Sequence, residues 1–188
     1  MLALLGLLSS LTFVGATNSS EMGVQFVVTG SGGFGINFIA IPEKRIPSTG
    51  NNGTLLTVEV RNPGSTTPLY SSTVITGSGG TYSGMAIFIP SGTYDITAKG
   101  YSHLRLKKTN QALSNGITID FTGAGISPLL SGDVNAATGD NKVNGIDLTQ
   151  IVTGLMSYNV RYDLNRDTRV NGIDLTNAVS NLNVTGAP

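Results

Sequence analysis

The sequence predicts a mostly β chain that closes with a small α unit: a β-sandwich followed by two short loop-helix repeats. Three observations predict it. From about Val24 to Phe121, apolar and polar residues alternate in short runs separated by Gly-, Pro- and Asn-rich turns. The last 56 of the 188 residues contain six acidic side chains, all aspartates, gathered in two loops of like spacing. Each loop runs into the same heptapeptide, Val143–Thr149 and Val170–Thr176, after which apolar residues recur at helical intervals.

The strands expected are 24–28, 36–41, 56–61, 73–76, 82–89, 92–99, 104–107 and 117–121. Turn words separate them, among them Asn62-Pro63-Gly64, Pro90-Ser91-Gly92 and Ser114-Asn115-Gly116. Seven or eight short strands at this spacing make a sandwich, placed at 23–125, with the loop-helix unit at 126–188. Pro128-Leu129-Leu130 is expected to pack between the two. Arg105, Lys107 and Lys108 alternate with Leu104 and Leu106, as on the solvated face of a strand, and His103 reads as a surface residue at a strand edge.

The loops carry the chemistry. Asp163, Asn165, Asp167, Asn171 and Asp174 fall at positions 1, 3, 5, 9 and 12, the ligand spacing of an EF-hand loop with Asp in place of Glu at position 12. Asp133, Asn135, Asp140, Asn144 and Asp147 repeat the pattern. Lys142 and Arg169 stand at position 7, where the main-chain carbonyl is the ligand. Hard cations take oxygen ligands, and three carboxylates in one short loop repel each other unless a cation lies between them. Two calcium ions are therefore expected. Loop one is three residues longer, best placed as a bulge at Ala136-Ala137-Thr138, which threatens its site. The alternative is a pair of Asn/Asp turns that merely cap helices. The helices are expected at Ile146 to about Met156 and Ile173 to about Leu182. Their apolar faces would be Leu148, Ile151 and Leu155 in the first, and Leu175, Val179 and Leu182 in the second.

The duplicated loop resembles the type I dockerin family over residues 132–183, with Thr168 at the family's position-6 glycine. That resemblance implies two calcium sites and docking onto a cohesin-like domain. Family recognition positions 10 and 11 are Gly145-Ile146 and Gly172-Ile173 here, so recognition would be apolar. The stretch Pro90-Ser91-Gly92-Thr93-Tyr94-Asp95-Ile96-Thr97-Ala98-Lys99-Gly100-Tyr101 resembles carboxypeptidase-regulatory-like, transthyretin-like domains over roughly 55–122, which implies an Ig/transthyretin-like sandwich without catalysis.

Composition narrows the function. Formal net charge is zero and charged residues make up 12%, so nothing supplies the basic face that nucleic acid requires. Cysteine is absent, which excludes a disulfide scaffold and a thiol nucleophile. A single histidine and scattered carboxylates (Glu43, Glu59, Asp95, Asp120) give no triad and no acid pair. The Gly-rich run 30–35 leads into a strand, not the helix N-terminus that a phosphate cradle needs. Asn18, Asn52 and Asn183 begin N-x-S/T triplets, which read first as turns and alternatively as N-glycan acceptors, Asn52 in the most exposed-looking loop. Low charge with abundant Gly, Thr and Ser suits an extracellular, secreted or cell-surface protein.

Residues 1–22 form an apolar N-terminal segment, and Met1 to Ala16 carry no charge. Val14-Gly15-Ala16 fits a leader cleavage site, yet no Lys or Arg precedes the apolar run. As a strand, Leu5, Leu7, Leu11 and Phe13 share one face, which suits donation into a neighbouring copy's sheet. The leading expectation is thus a non-enzymatic, calcium-stabilised subunit of an extracellular fibre, joined to copies of itself through residues 1–16. The alternative is a cell-surface binding module that docks onto a cohesin-like scaffold, with residues 1–16 a signal or anchor.

Overall fold

The computed structural model describes residues 33–47, 50–122 and 128–188. Alternating apolar residues build its two sheets. Strand β1 (Phe34–Ile39) turns Phe34, Ile36 and Phe38 inward, and β2 (Leu55–Arg61) turns Leu56, Val58 and Val60 inward. With β3 (Pro68–Ile75), β4 (Thr81–Ile87), β5 (Gly92–Gly100), β6 (Leu106–Leu113) and β7 (Thr118–Asp120) they form two sheets of order β4-β1-β7 and β3-β2-β5-β6. All pairings are antiparallel except β1 with β7. One buried cluster draws on both sheets: Ile36, Phe38 and Ile87 from the first, Leu56, Val58 and Ile96 from the second. That is the packing of a β-sandwich.

The sandwich matches the expectation in kind and departs from it in detail. The expected strand 24–28 and the donor segment 1–16 lie outside the described residues. So does 123–127, where the expected domain boundary falls. Strand β3 begins five residues before the expected Thr73, because pairing with β2 orders Pro68 to Ser72 without apolar alternation to announce it. Strand β6 runs to Leu113 through Lys107, Lys108, Thr109, Asn110 and Gln111, a polar stretch held by its ladder to β5.

Four surface assignments are corrected. Lys107 is no solvated strand residue: its ammonium lies 3.0 Å from Asp95, a carboxylate only 1% exposed. Arg105 reaches Glu59 at 3.5 Å. His103 is buried, not at a surface edge, and Asn52 is buried rather than displayed on an exposed loop, unlike Asn183.

The C-terminal unit contributes helices α1 (Gly145–Thr153) and α2 (Gly172–Ser180), which pack on each other. Its own small core holds Val134, Ile151, Leu164, Val170 and Ala178. Helix α1 stops earlier than expected because Gly154 closes it and Met156 turns to φ 66. In α2, Leu175 packs inward with Ala178, but Val179 and Leu182 are exposed, so the expected Leu175-Val179-Leu182 face is corrected. Leu129 is fully buried in the sandwich core and bridges Pro42, with Leu104 N–H donating to Leu130 O, as expected of the 128–130 segment.

Asp95 ties three places together. It accepts N–H bonds from Gly64 and Asn110 at 3.0 Å each and faces Lys107. Burial pushes its carboxyl up, but the Asn110 and Gly64 amides and Lys107 outweigh it and hold Asp95 below the usual range. Asp95→Ala leaves Lys107 and two amides without their partner and should cost about 3–5 kcal/mol, read by urea denaturation.

Candidate functional site

Both aspartate loops fold into the same geometry. At position 12, Asp147 and Asp174 are fully buried. Asp147 Oδ1 accepts from Val134 N and Asn135 N at 2.8 and 2.9 Å, and Asp174 Oδ1 accepts from Leu164 N and Asn165 N at 2.7 and 3.3 Å. The other oxygen of each accepts from the amide of Asn144 or Asn171 at 2.9 Å. At position 9, Asn144 and Asn171 cap the helices by accepting from Ile146 N and Ile173 N, which completes a capping box in both copies.

Position 1 is held alike in each loop. Asp133 accepts from the amides of Asp140 and Asn141, and Asp163 from those of Asp167 and Thr168. Positions 4 and 6 are left-handed in both: Gly139 and Asn141 at φ 72 and 66, Arg166 and Thr168 at 62 and 73. The three extra residues of loop one leave this pattern intact, since Gly139 donates back to Asn135 O and the chain resumes in register. Sequence reasoning left open whether the loop survived its bulge; the backbone bonds close it.

The twelve expected site residues thus gather in two loops. Asp133, Asn135, Asp147, Asp163, Asn165 and Asp174 are buried, Asn144, Asp167 and Asn171 are partly buried, and Asp140, Lys142 and Arg169 are exposed. The helix-capping role of the Asn and Asp residues is visible directly. The donors are oxygens of the kind calcium takes. Among the described residues no group of three His, Cys, Asp or Glu side chains converges to hold a metal, so a calcium shell would draw on the asparagine and main-chain oxygens beside the aspartates.

Electrostatics separates the loops. Burial pushes the Asp163 carboxyl up, the Thr168 amide opposes this, and the charges of Asp174 and Asp167 raise it further. Among the described residues, no ion pair engages these three aspartates. Asp133 is also raised by burial, but Lys99 from β5 opposes the shift with its ammonium 2.6 Å from Oδ2.

A charged seam behind the loops escaped the sequence. Lys99 also donates to His103 O, and Arg45 Nη2 lies 3.4 Å from His103 Nε2. Burial holds the His103 imidazole well below its usual value, and Arg45 and Lys99 add to that. Burial likewise brings Arg45 down to about 10. His103 sits against Gly100, where a Cβ would meet its ring at 2.4 Å. Only the tertiary fold brings Arg45, Lys99 and His103 together.

No family model matches the sequence, and no curated protein matches it. The fold has solved relatives. It is similar to a chain of a type II cohesin–X-dockerin complex from Acetivibrio cellulolyticus bearing a C-terminal interface mutation, at 19% identity and a TM-score of 0.59, over 82% of this chain and 98% of that one. It is also similar to a chain of an N-terminal interface mutant of that complex, at 20% identity and a TM-score of 0.51, over 82% and 96%. At this identity the likeness concerns the fold. Coverage of 82% exceeds what the sandwich, residues 34–121, supplies by itself.

Thr168 is a β-branched residue at φ 73, a region that favours glycine. Thr168→Gly should raise stability by on the order of 1 kcal/mol, read as a higher melting temperature. His103 stays neutral when folded and takes a proton when unfolded, so its contribution is complete above about pH 6.5 and is lost as pH falls below it. Stability should decline there by up to about 1.4 kcal/mol per pH unit, and His103→Gln should flatten that slope in urea titrations at several pH values.

Proposed function

We propose that the chain is a non-enzymatic, extracellular or cell-surface binding module of the dockerin kind, which docks through its C-terminal unit onto a cohesin-like β-sandwich. The observation that carries the reading is the exposed apolar surface repeated in both copies. Ile146 and Ile173, at position 11, are 59% and 50% exposed, and Val152 and Val179 are each 48% exposed. Met156, Tyr158 and Val160 add to it between the copies, and an open groove beside Ile173 is lined by Met156, Tyr158 and Val170. A pattern that stays apolar and exposed through a duplication is what a partner surface requires. Both isoleucines are surface residues rather than members of the core. The similarity to chains of cohesin–X-dockerin complexes, extending beyond the sandwich, supports the same reading.

Calcium belongs to this proposal. Asp163, Asn165, Asp167, Asn171 and Asp174 would hold it in loop two, with the Arg169 carbonyl, and the ion would supply the positive charge that three neighbouring carboxylates lack. The sandwich would serve as the rigid support, bonded to the loops by Ile46 N to Asn165 O and Ser102 Oγ to Arg161 O.

The test is capture of a purified type II cohesin domain by the full chain, followed by calorimetry with calcium present. The double variant Ile146→Asp, Ile173→Asp should lose binding by more than a hundredfold, roughly 2.7 kcal/mol or more, with an unchanged melting temperature. Chelation should weaken binding and lower the melting temperature. Binding indifferent to both isoleucines would reject the proposed surface, and a melt unaffected by chelator would reject the metal.

A further inference from the structure

The two loops share their main-chain amide bonds to positions 1, 3, 5, 9 and 12, and differ in what reaches the position-1 carboxylate. In loop one a cationic side chain is bonded to the position-1 carboxylate: Lys99 Nζ stands 2.6 Å from Asp133 Oδ2. In loop two, Asp163 receives, among the described residues, only the amides of Asp167 and Thr168. Two cations lie nearby without forming an ion pair to Asp163: Arg45, which faces His103 and feels the Asp163 charge at longer range, and Arg166, which lies over the Tyr101 ring at 5.4 Å.

We propose that the Lys99 ammonium is the resident cation of loop one, so that the chain takes calcium through loop two alone. The inference rests on the calcium reading above and concerns which loop the ion can enter. Four observations support it. Lys99 is held in place by a second bond, to His103 O at 3.0 Å. Asp133 is fully buried and Lys99 is 9% exposed, so neither group exchanges its partner for water without the loop opening. Arg161 crosses the same loop and donates to Val134 O at 2.9 Å and Asn135 O at 3.4 Å, which places a second positive charge on it. And Gly139, folded over Asp133 so that a Cβ would meet Oδ1 at 2.2 Å, closes the loop down on the ion pair.

Calcium entering loop one must displace the ammonium from Asp133. Lys99 would then remain inside the interface beside Arg105 and Arg161, both of which already disfavour its charge, with one carbonyl as its partner. A divalent ion there meets Lys99 and Arg161 bonded directly to the loop, whereas among the described residues no cationic side chain is bonded to the position-1 carboxylate of loop two. The sandwich thereby takes over in loop one the neutralising role that a metal takes in loop two, and that half of the C-terminal unit stays attached to the sandwich whether or not calcium is present.

Native mass spectrometry of the full chain in excess calcium tests this. The wild type should carry a single calcium ion, and Asp163→Asn should carry none. Lys99→Met, of similar length and no charge, should admit a second ion, and its melting temperature should rise with calcium more than that of the wild type. The double variant Lys99→Met, Asp163→Asn should retain one ion, in loop one. Two ions on the wild type, or one remaining on Asp163→Asn, overturn the proposal while leaving the calcium reading in place. No calcium on the wild type overturns both. Should Lys99→Met fail to fold, the comparison of wild type with Asp163→Asn decides the matter by itself.

Discussion

A buried aspartate at the head of each short helix holds the C-terminal unit together. Asp147 and Asp174 each gather three backbone amides, two from the start of the loop and one from the helix cap. A hydrogen bond to a charged acceptor contributes roughly 1.5–3 kcal/mol, and these amides would otherwise be buried without partners. Two nine-residue helices are too short to persist by propensity. They exist because this carboxylate fixes where the loop begins and where the helix starts, and because Ile151, Ala178 and their neighbours then meet in a small shared core.

The sandwich and the loop unit meet across charge rather than oil alone. Leu129 is buried in the sandwich core, and the polar contacts include Lys99 with Asp133, Arg45 with His103, and Glu43, which accepts from Ser131 and Asn181. A buried ion pair is weak evidence for stability, because desolvation offsets much of its attraction. Its value here is positional. It fixes how β5 faces loop one, while among the described residues no ion pair reaches the aspartates of loop two.

These two consequences join in one functional picture. A duplicated unit presents the same isoleucine and valine to solvent from each copy, yet the copies are not electrostatically equal. One is clamped to the sandwich by a lysine; the other has no ion pair among the described residues. A partner that approaches the apolar surface therefore meets two similar faces with different mechanical support, a distinction that the repeat by itself does not contain.

The local pattern of this chain determined much by itself. Alternation in Leu56 to Val60 fixed which face of β2 is core, because a pleated strand has period two. The words Val-Asn-Gly-Ile-Asp-Leu-Thr fixed both helix starts, since cap, capping box and loop closure are made by residues within a few positions of each other. Tertiary structure decided what depends on residues far apart. The polar run of β6 is a strand because β5 offers it a ladder, and Pro68 to Ser72 is one because β2 does. His103 reads as surface from its neighbours Ser102 and Leu104, and is interior because the loop unit covers it. Lys99 reads as one more strand residue, and becomes the partner of Asp133 only when the chain folds 34 positions back upon it. Long-range charge pairing leaves no local periodic trace, which is why the paired aspartate loops were legible in the sequence and the lysine that distinguishes them was not.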